Sequence, residues 1–249
     1  MKERVSIKNK YGKKLSAIIE GPEGDIKDFV IISHCFTCSK LYKLYNNISE
    51  FLAEMGYGVV RYDAMGLGDS EGDFSKTSFS TNVDDLISVH SYISEHYKSP
   101  AYLFGHSIGG LVSIKASNGL ESIKGVVTVG SPYNFDNLIN VFSNYESALK
   151  NQGSLEVKLG GRSINIGMEY LQDVRDENLE ETIKKFNKSI IMFQSDTDMT
   201  VGYNDGLKLF NSIKSQKSFI TLRNVDHLAG EKADSKYIGN ILYSWLENN

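Results

Sequence analysis

Short apolar runs that do not alternate punctuate the chain at Phe29–Ser33, Gly58–Tyr62, Ala101–Phe104, Gly125–Val129 and Ile190–Phe193. A strand wet on one face alternates apolar and polar residues, whereas a strand covered on both faces is apolar throughout. These runs therefore predict the buried strands of a parallel sheet. Helix-length amphipathic stretches lie between and after them, at Leu41–Met55, Thr81–His96, Ile108–Asn118, Asp205–Ser212 and Lys236–Leu246. The opening residues differ: Val5 and Ile7, then Leu15, Ala17 and Ile19, alternate around a Tyr11-Gly12 turn, which predicts an antiparallel hairpin at the sheet edge. The order predicts an α/β fold, a mostly parallel doubly wound sheet with right-handed crossovers and an N-terminal antiparallel hairpin. Ligands of such sheets bind beyond the carboxyl ends of the strands, so residues just after each run carry most functional weight.

One segment breaks the rhythm. Between Ser131 and Lys188 no core strand is predicted; instead Ser154–Leu159, Gly160-Gly161 and Arg162–Ile166 read as strand, turn and strand. Asn137–Leu149 and Asn178–Phe186, which flank them, read as helical. We expect a compact cap insertion at about 131–188 within one domain spanning 1–249, because the insertion has too few apolar residues for a core of its own.

Composition narrows the picture. Lys and Arg number 27 against 31 Asp and Glu, a net charge of −4. No basic block offers an electrostatic footprint for nucleic acid. The N-terminal Met1–Ile7 has no apolar h-region, and no apolar run reaches the ~20 residues needed to span a bilayer, so a cytoplasmic protein is expected. The two cysteines, Cys35 and Cys38, form a lone C-x-x-C, a pattern that can be a redox dithiol or half of a zinc site. A zinc site needs four ligands, and no second cysteine pair or histidine cluster completes one. No metal or cofactor is expected.

The chemistry points to Gly105-His106-Ser107-Ile108-Gly109, a G-x-S-x-G placed between a buried strand and a helix. A side chain at either glycine would clash as the backbone doubles back, so the pattern suits a nucleophile elbow that pushes Ser107 above the sheet. A serine hydroxyl needs a base. Of five histidines, His90 and His96 fall in a polar amphipathic helix and are expected at the surface, and His106 should point away from the serine beside it. His34 ends a strand and should organise the loop after it. His227, in a loop between the short strand Ser218–Leu222 and the last helix, is the expected base. The acid that orients it should follow Ile190–Phe193, where Asp196 and Asp198 compete; Asp226 is adjacent to His227 and poorly placed to reach its ring. Two backbone N–H groups should form an oxyanion hole, that of Ile108 and one from the loop His34–Cys38, with Phe36 the expected donor. The cysteines then serve as small residues in a tight loop. Gly66-Leu67-Gly68 lacks the lysine of a phosphate loop and reads as a turn.

Those motifs, with Arg61-Tyr62-Asp63-Ala64-Met65-Gly66-Leu67-Gly68-Asp69-Ser70-Glu71-Gly72, Gly161-Arg162-Ser163, Ser195–Gly202 and Val225–Leu228, extend over nearly the whole chain. Together they resemble the α/β-hydrolase proteins often fused to an OsmC-like redox domain. The chain is also similar to small cinnamoyl or feruloyl esterases and to serine aminopeptidase-like hydrolases. The resemblance implies the α/β-hydrolase fold and Asp198 as the triad acid. Two departures stand out: the sequence ends at Asn249 with no OsmC-like domain, and Cys35 replaces the usual glycine of the oxyanion loop.

The expected activity is hydrolysis of small or medium carboxylic esters, acyl or aryl, by a serine esterase through an acyl-enzyme. Thioesterase, amidase or peptidase action would use the same triad, and a ligand sensor on a hydrolase scaffold is the non-catalytic alternative. The expected partner is a small-molecule ester, with neither nucleic acid nor membrane; a homodimer stays open. In the cap, Leu138, Ile139, Val141, Phe142 and Tyr145, with Met168, Tyr170 and Leu171, should mostly glue it down, and a few should line an apolar pocket above Ser107.

Overall fold

The computed structural model describes residues 1–159 and 162–249. Ten strands and nine α-helices are formed by the described residues. The hairpin forms from β1 (Lys2–Lys8) and β2 (Lys14–Glu20), paired antiparallel, with Val5 opposite Ala17. It is followed by β3 (Phe29–Ser33), α1 (Lys43–Glu54), β4 (Gly58–Tyr62), α2 (Phe79–His96), β5 (Tyr102–His106), α3 (Ile108–Ser117) and β6 (Gly125–Val129). The insertion then supplies α4 (Asp136–Ser143), α5 (Glu146–Gln152), β7 (Ser154–Leu159), β8 (Arg162–Gly167), α6 (Met168–Asp176) and α7 (Leu179–Lys185). The chain returns through β9 (Ser189–Ser195), α8 (Tyr203–Ser212), β10 (Lys217–Leu222) and α9 (Lys232–Leu246).

Eight strands build one sheet in the order β1-β2-β4-β3-β5-β6-β9-β10. β2 joins β4 antiparallel, and every pairing from β4 to β10 is parallel. Side chains of successive residues leave opposite faces, and both faces are buried. Phe29 and Ile31, Leu103, Val126, and Ile190 and Met192 enter one core layer with α2 and α3. Val30 and Ile32, Phe104, Val127, and Ile191 and Phe193 enter the other, with α1 and α9. That two-sided burial is why these strands read as unbroken apolar runs.

Local chemistry sets the helix starts. At the head of α2, the Ser78 hydroxyl accepts the Thr81 N–H at 3.1 Å and the Thr81 hydroxyl accepts the Ser78 N–H at 3.2 Å. This reciprocal cap begins the helix at Phe79, earlier than periodicity suggested.

The insertion, between β6 and β9, follows expectation in its hairpin: β7 and β8 pair antiparallel, Val157 opposite Ile164. The Gly160-Gly161 turn lies outside the described residues. The expected helix Asn137–Leu149 is broken into α4 and α5, and α6, not foreseen, follows the hairpin. Its Tyr170, Leu171 and Val174 join Phe142, Leu149, Val157 and Ile166 in the core layer that contains α2 and α3. No helix among the described residues is long and apolar enough to cross a membrane.

Candidate active site

Ser107 sits where β5 ends and α3 begins, with φ 55° and ψ −125°, a strained backbone for a residue with a Cβ. The turn is tight enough that a Cβ on Gly105 would lie 2.2 Å from the Gly109 carbonyl oxygen, and one on Gly109 would lie 2.3 Å from that of Ser33. The Ser107 N–H is held by the Val129 carbonyl at 2.9 Å, which fixes the elbow against the end of β6.

His227, in the loop before α9, meets Asp198 from the loop after β9: Nδ1 lies 2.7 Å from Asp198 Oδ2. A carboxylate only accepts, so Nδ1 carries the proton and the basic lone pair is left on Nε2. The other Asp198 oxygen accepts the N–H groups of Thr200 and Val201 at 2.8 and 2.9 Å. Burial works to raise the Asp198 carboxyl, but the His227 hydrogen bond and charge, with those two amides, outweigh it and hold it below the usual carboxylate range. Gly130, with φ +57°, lies beneath the pair; a Cβ there would lie 3.2 Å from His227 Nδ1 and 3.3 Å from Asp198 Oδ2.

The competing carboxylates are engaged elsewhere. Asp196 accepts the Asn224 N–H at 3.0 Å and pairs with exposed Arg223 at 3.2 Å. Asp226 accepts the Ala229 N–H at 2.8 Å. Thus Asp198, the acid implied by resemblance, is the one that meets His227.

The loop expected to supply the second oxyanion donor runs from β3 past Thr37, which adopts φ 63°. The Cys35 N–H is taken by Tyr45 Oη at 3.0 Å and the Cys38 N–H by the Cys35 carbonyl at 3.0 Å. Phe36 lies between these tied amides, and Ile108 opens α3, where first-turn N–H groups have no intrahelical partner. The cysteines do more than fill space. The turn brings their Cα atoms to 5.3 Å and they are joined by a disulfide. His34 organises this loop as expected: Nδ1–H donates to the Cys35 carbonyl at 2.8 Å and Nε2 accepts the Ala64 N–H at 3.1 Å. Buried Lys40 closes it by pairing with Asp63 and, at 2.8 Å, with Asp69, in the segment whose glycines form a turn after β4.

Of the remaining histidines, His96 is exposed, but His90 is half-buried and meets the Ser122 hydroxyl at 2.7 Å. His106 is wholly buried behind the elbow. Burial, and secondarily the nearby His227, pushes its pKa down from an ordinary 6.5 to about 3. Between those values the unfolded chain takes up a proton that the folded chain refuses, so stability contributed by neutral His106 is present above pH 6.5 and lost as pH falls toward 3. Urea unfolding at a series of pH values should show this loss, on the order of a few kcal/mol. His106→Gln should flatten the slope; unchanged slopes would assign the acid sensitivity to other groups.

The Phe36 ring is gripped edge-on by Phe142 and Tyr170 of the insertion, with centroids at 6.0 and 5.0 Å, and tilted against Phe74 at 5.6 Å. A small cavity of about 20 Å³ adjoins the loop after β3, lined by Phe36, Tyr62, Leu67, Phe74, Asn82, Ile108 and Val112 among others. None of the cap residues expected to line a pocket is in its wall; Phe142, Tyr170 and Leu171 are packed into the core layer instead. Among the described residues, no group of three or more His, Cys, Asp and Glu is gathered so that it could hold a metal ion.

The family model described as "Serine aminopeptidase, S33" matches residues 24–160, more than half of the chain. The chain belongs to the serine aminopeptidase S33 family. Among solved structures, this S33 member is similar to the esterase domain of a Rhodothermus marinus protein, at 30% identity and a TM-score of 0.80, covering 98% of this chain and 97% of that one. It also superposes on Est1E from Butyrivibrio proteoclasticus with ferulic acid bound, at 19% identity and a TM-score of 0.83 with 98% of each chain covered, a likeness of fold. With the α/β-hydrolase GrgF from Penicillium sp. sh18, which superposes at 17% identity and a TM-score of 0.82 over 100% of this chain and 98% of that one, these show an α/β-hydrolase fold. Among curated proteins it is 23% identical over 195 residues to the human mitochondrial palmitoyl-protein thioesterase ABHD10, across 75% of this chain. The S33 member spans 62% of that relative's length.

Proposed function

We propose that the protein is a serine hydrolase that cleaves small or medium carboxylic esters through an acyl-enzyme. The observation that carries this reading is the Asp198–His227 pair at 2.7 Å beside a strained serine elbow. Ser107 Oγ attacks the acyl carbon and its proton passes to His227 Nε2. The N–H groups of Phe36 and Ile108 receive the negative charge on the former carbonyl oxygen. His227 then protonates the leaving alcohol, and water, deprotonated by the same imidazole, releases the acid. Asp198 holds the imidazole in the tautomer these steps require.

The rings packed around Phe36 favour short acyl groups. Across p-nitrophenyl esters of increasing chain length, kcat/KM should peak at short chains and fall beyond, each unaccommodated methylene forfeiting up to about 0.8 kcal/mol of burial. Activity rising steadily toward long chains would overturn the size assignment. The similarity to a palmitoyl-protein thioesterase favours a second reading, S-acyl cleavage by the same residues. Running matched oxygen esters and thioesters side by side separates the two: a large preference for thioesters, extending to long acyl groups, would replace the first reading with the second.

A further inference from the structure

Two fully buried side chains behind the elbow, Tyr45 and His106, take no part in the chemistry proposed above, yet they join its three parts. His106 Nε2 lies 2.8 Å from the backbone carbonyl of His227. A carbonyl only accepts, so Nε2 carries the proton. A neutral imidazole has one N–H, which makes Nδ1 an acceptor. Tyr45 Oη lies 2.8 Å from that Nδ1 and therefore donates to it. The Tyr45 oxygen is then free to accept, and it takes the Cys35 N–H at 3.0 Å. The direction of every bond is thus forced: Cys35 N–H to Tyr45, Tyr45 O–H to His106, His106 N–H to the His227 carbonyl. Cys35 precedes Phe36, His106 precedes Ser107, and His227 supplies the base. The tilted rings of His106 and His227, with centroids 5.1 Å apart, bring the last link against the imidazole itself.

We propose that Tyr45 and His106 are positioning residues, a buried relay that holds the oxyanion amide, the nucleophile elbow and the base loop in register. The proposal rests on the assignment of Ser107, His227 and Phe36 made above. The relay touches no substrate, so its loss acts on the transition state more than on binding. Removing the Tyr45 hydroxyl strands both the Cys35 N–H and His106 Nδ1 without removing bulk. Losing an oxyanion donor outright costs roughly 10²–10³-fold in kcat; letting its loop relax should cost part of that.

The test is Tyr45→Phe, with active enzyme counted by fluorophosphonate titration so that misfolded protein does not enter the rate. Per labelled serine, kcat should fall roughly 10- to 100-fold with KM within about twofold, and affinity for a trifluoromethyl ketone, which mimics the tetrahedral adduct, should fall in parallel. A kcat per labelled serine within twofold of wild type, or a change confined to KM, would overturn the relay while leaving the hydrolase assignment standing. Wild-type protein that neither labels at Ser107 nor hydrolyses any ester or thioester would overturn both. Should Tyr45→Phe not fold, wild-type protein gives an independent answer through histidine ¹⁵N spectra. His106 should be neutral and protonated on Nε2 at neutral pH; protonation on Nδ1 would refute the relay.

Discussion

Ser107→Ala should abolish covalent labelling by a fluorophosphonate and lower turnover by about 10⁴-fold or more while leaving the fold intact. The substitution deletes one hydroxyl at a site 7% exposed, and alanine tolerates the φ of 55° no worse than serine does. The backbone bond from residue 107 to the Val129 carbonyl does not involve the side chain and should persist. Far-ultraviolet circular dichroism and the unfolding midpoint should therefore match wild type. Turnover within tenfold of wild type in the variant would show that another residue is the nucleophile.

Asp198→Asn should cost about 10⁴ in kcat, with Asp196→Asn costing no more than a few-fold. The reason is protonation, not charge alone. An asparagine amide in place of Asp198 can donate to His227 Nδ1, which reverses the tautomer and puts the proton on Nε2, where the serine needs a lone pair. The amide carbonyl oxygen, in the place of Oδ1, still accepts the N–H groups of Thr200 and Val201, so the local fold should persist while the rate falls. Asp196 faces exposed Arg223 and a loop amide, away from the imidazole. Steady-state rates on one ester for both variants decide the matter, and the reverse ranking would place the acid two residues earlier.

Much of the fold is legible in the sequence, for identifiable reasons. Buried strands such as Phe29–Ser33 and Gly125–Val129 declare themselves because both faces need apolar residues, and the elbow because its two glycines answer a steric demand. The helix α6 was harder. Its buried positions Tyr170, Leu171 and Val174 are interleaved with Glu169, Gln172, Asp173 and Arg175, a narrow stripe that showed as a patch and not as a period. The break between α4 and α5 has no proline or glycine to announce it. Asp196 and Asp198 were separable only by resemblance, since both follow the same strand. The Tyr45–His106 contact links positions far apart in sequence, and nothing in local pattern predicts which buried hydroxyl will meet which buried imidazole. The disulfide is a further case: the spacing of Cys35 and Cys38 permitted a bridge, but only the turn at Phe36-Thr37 closes the distance.

The residues around the elbow come from β3, β5, β6 and β9 and from the loop before the final helix, spread over most of the length of the chain. Such a centre has no partial form. A ribosome that has made the first half of this sequence has made Ser107 and the His34–Cys38 loop, but neither His227 nor Asp198. His227 lies beyond β10, which pairs with β9, so the loop that carries it reaches the elbow from the far edge of the sheet. Appearance of turnover during refolding should therefore report that both edges of this centre, the loop after β3 and the loop after β10, are in place together.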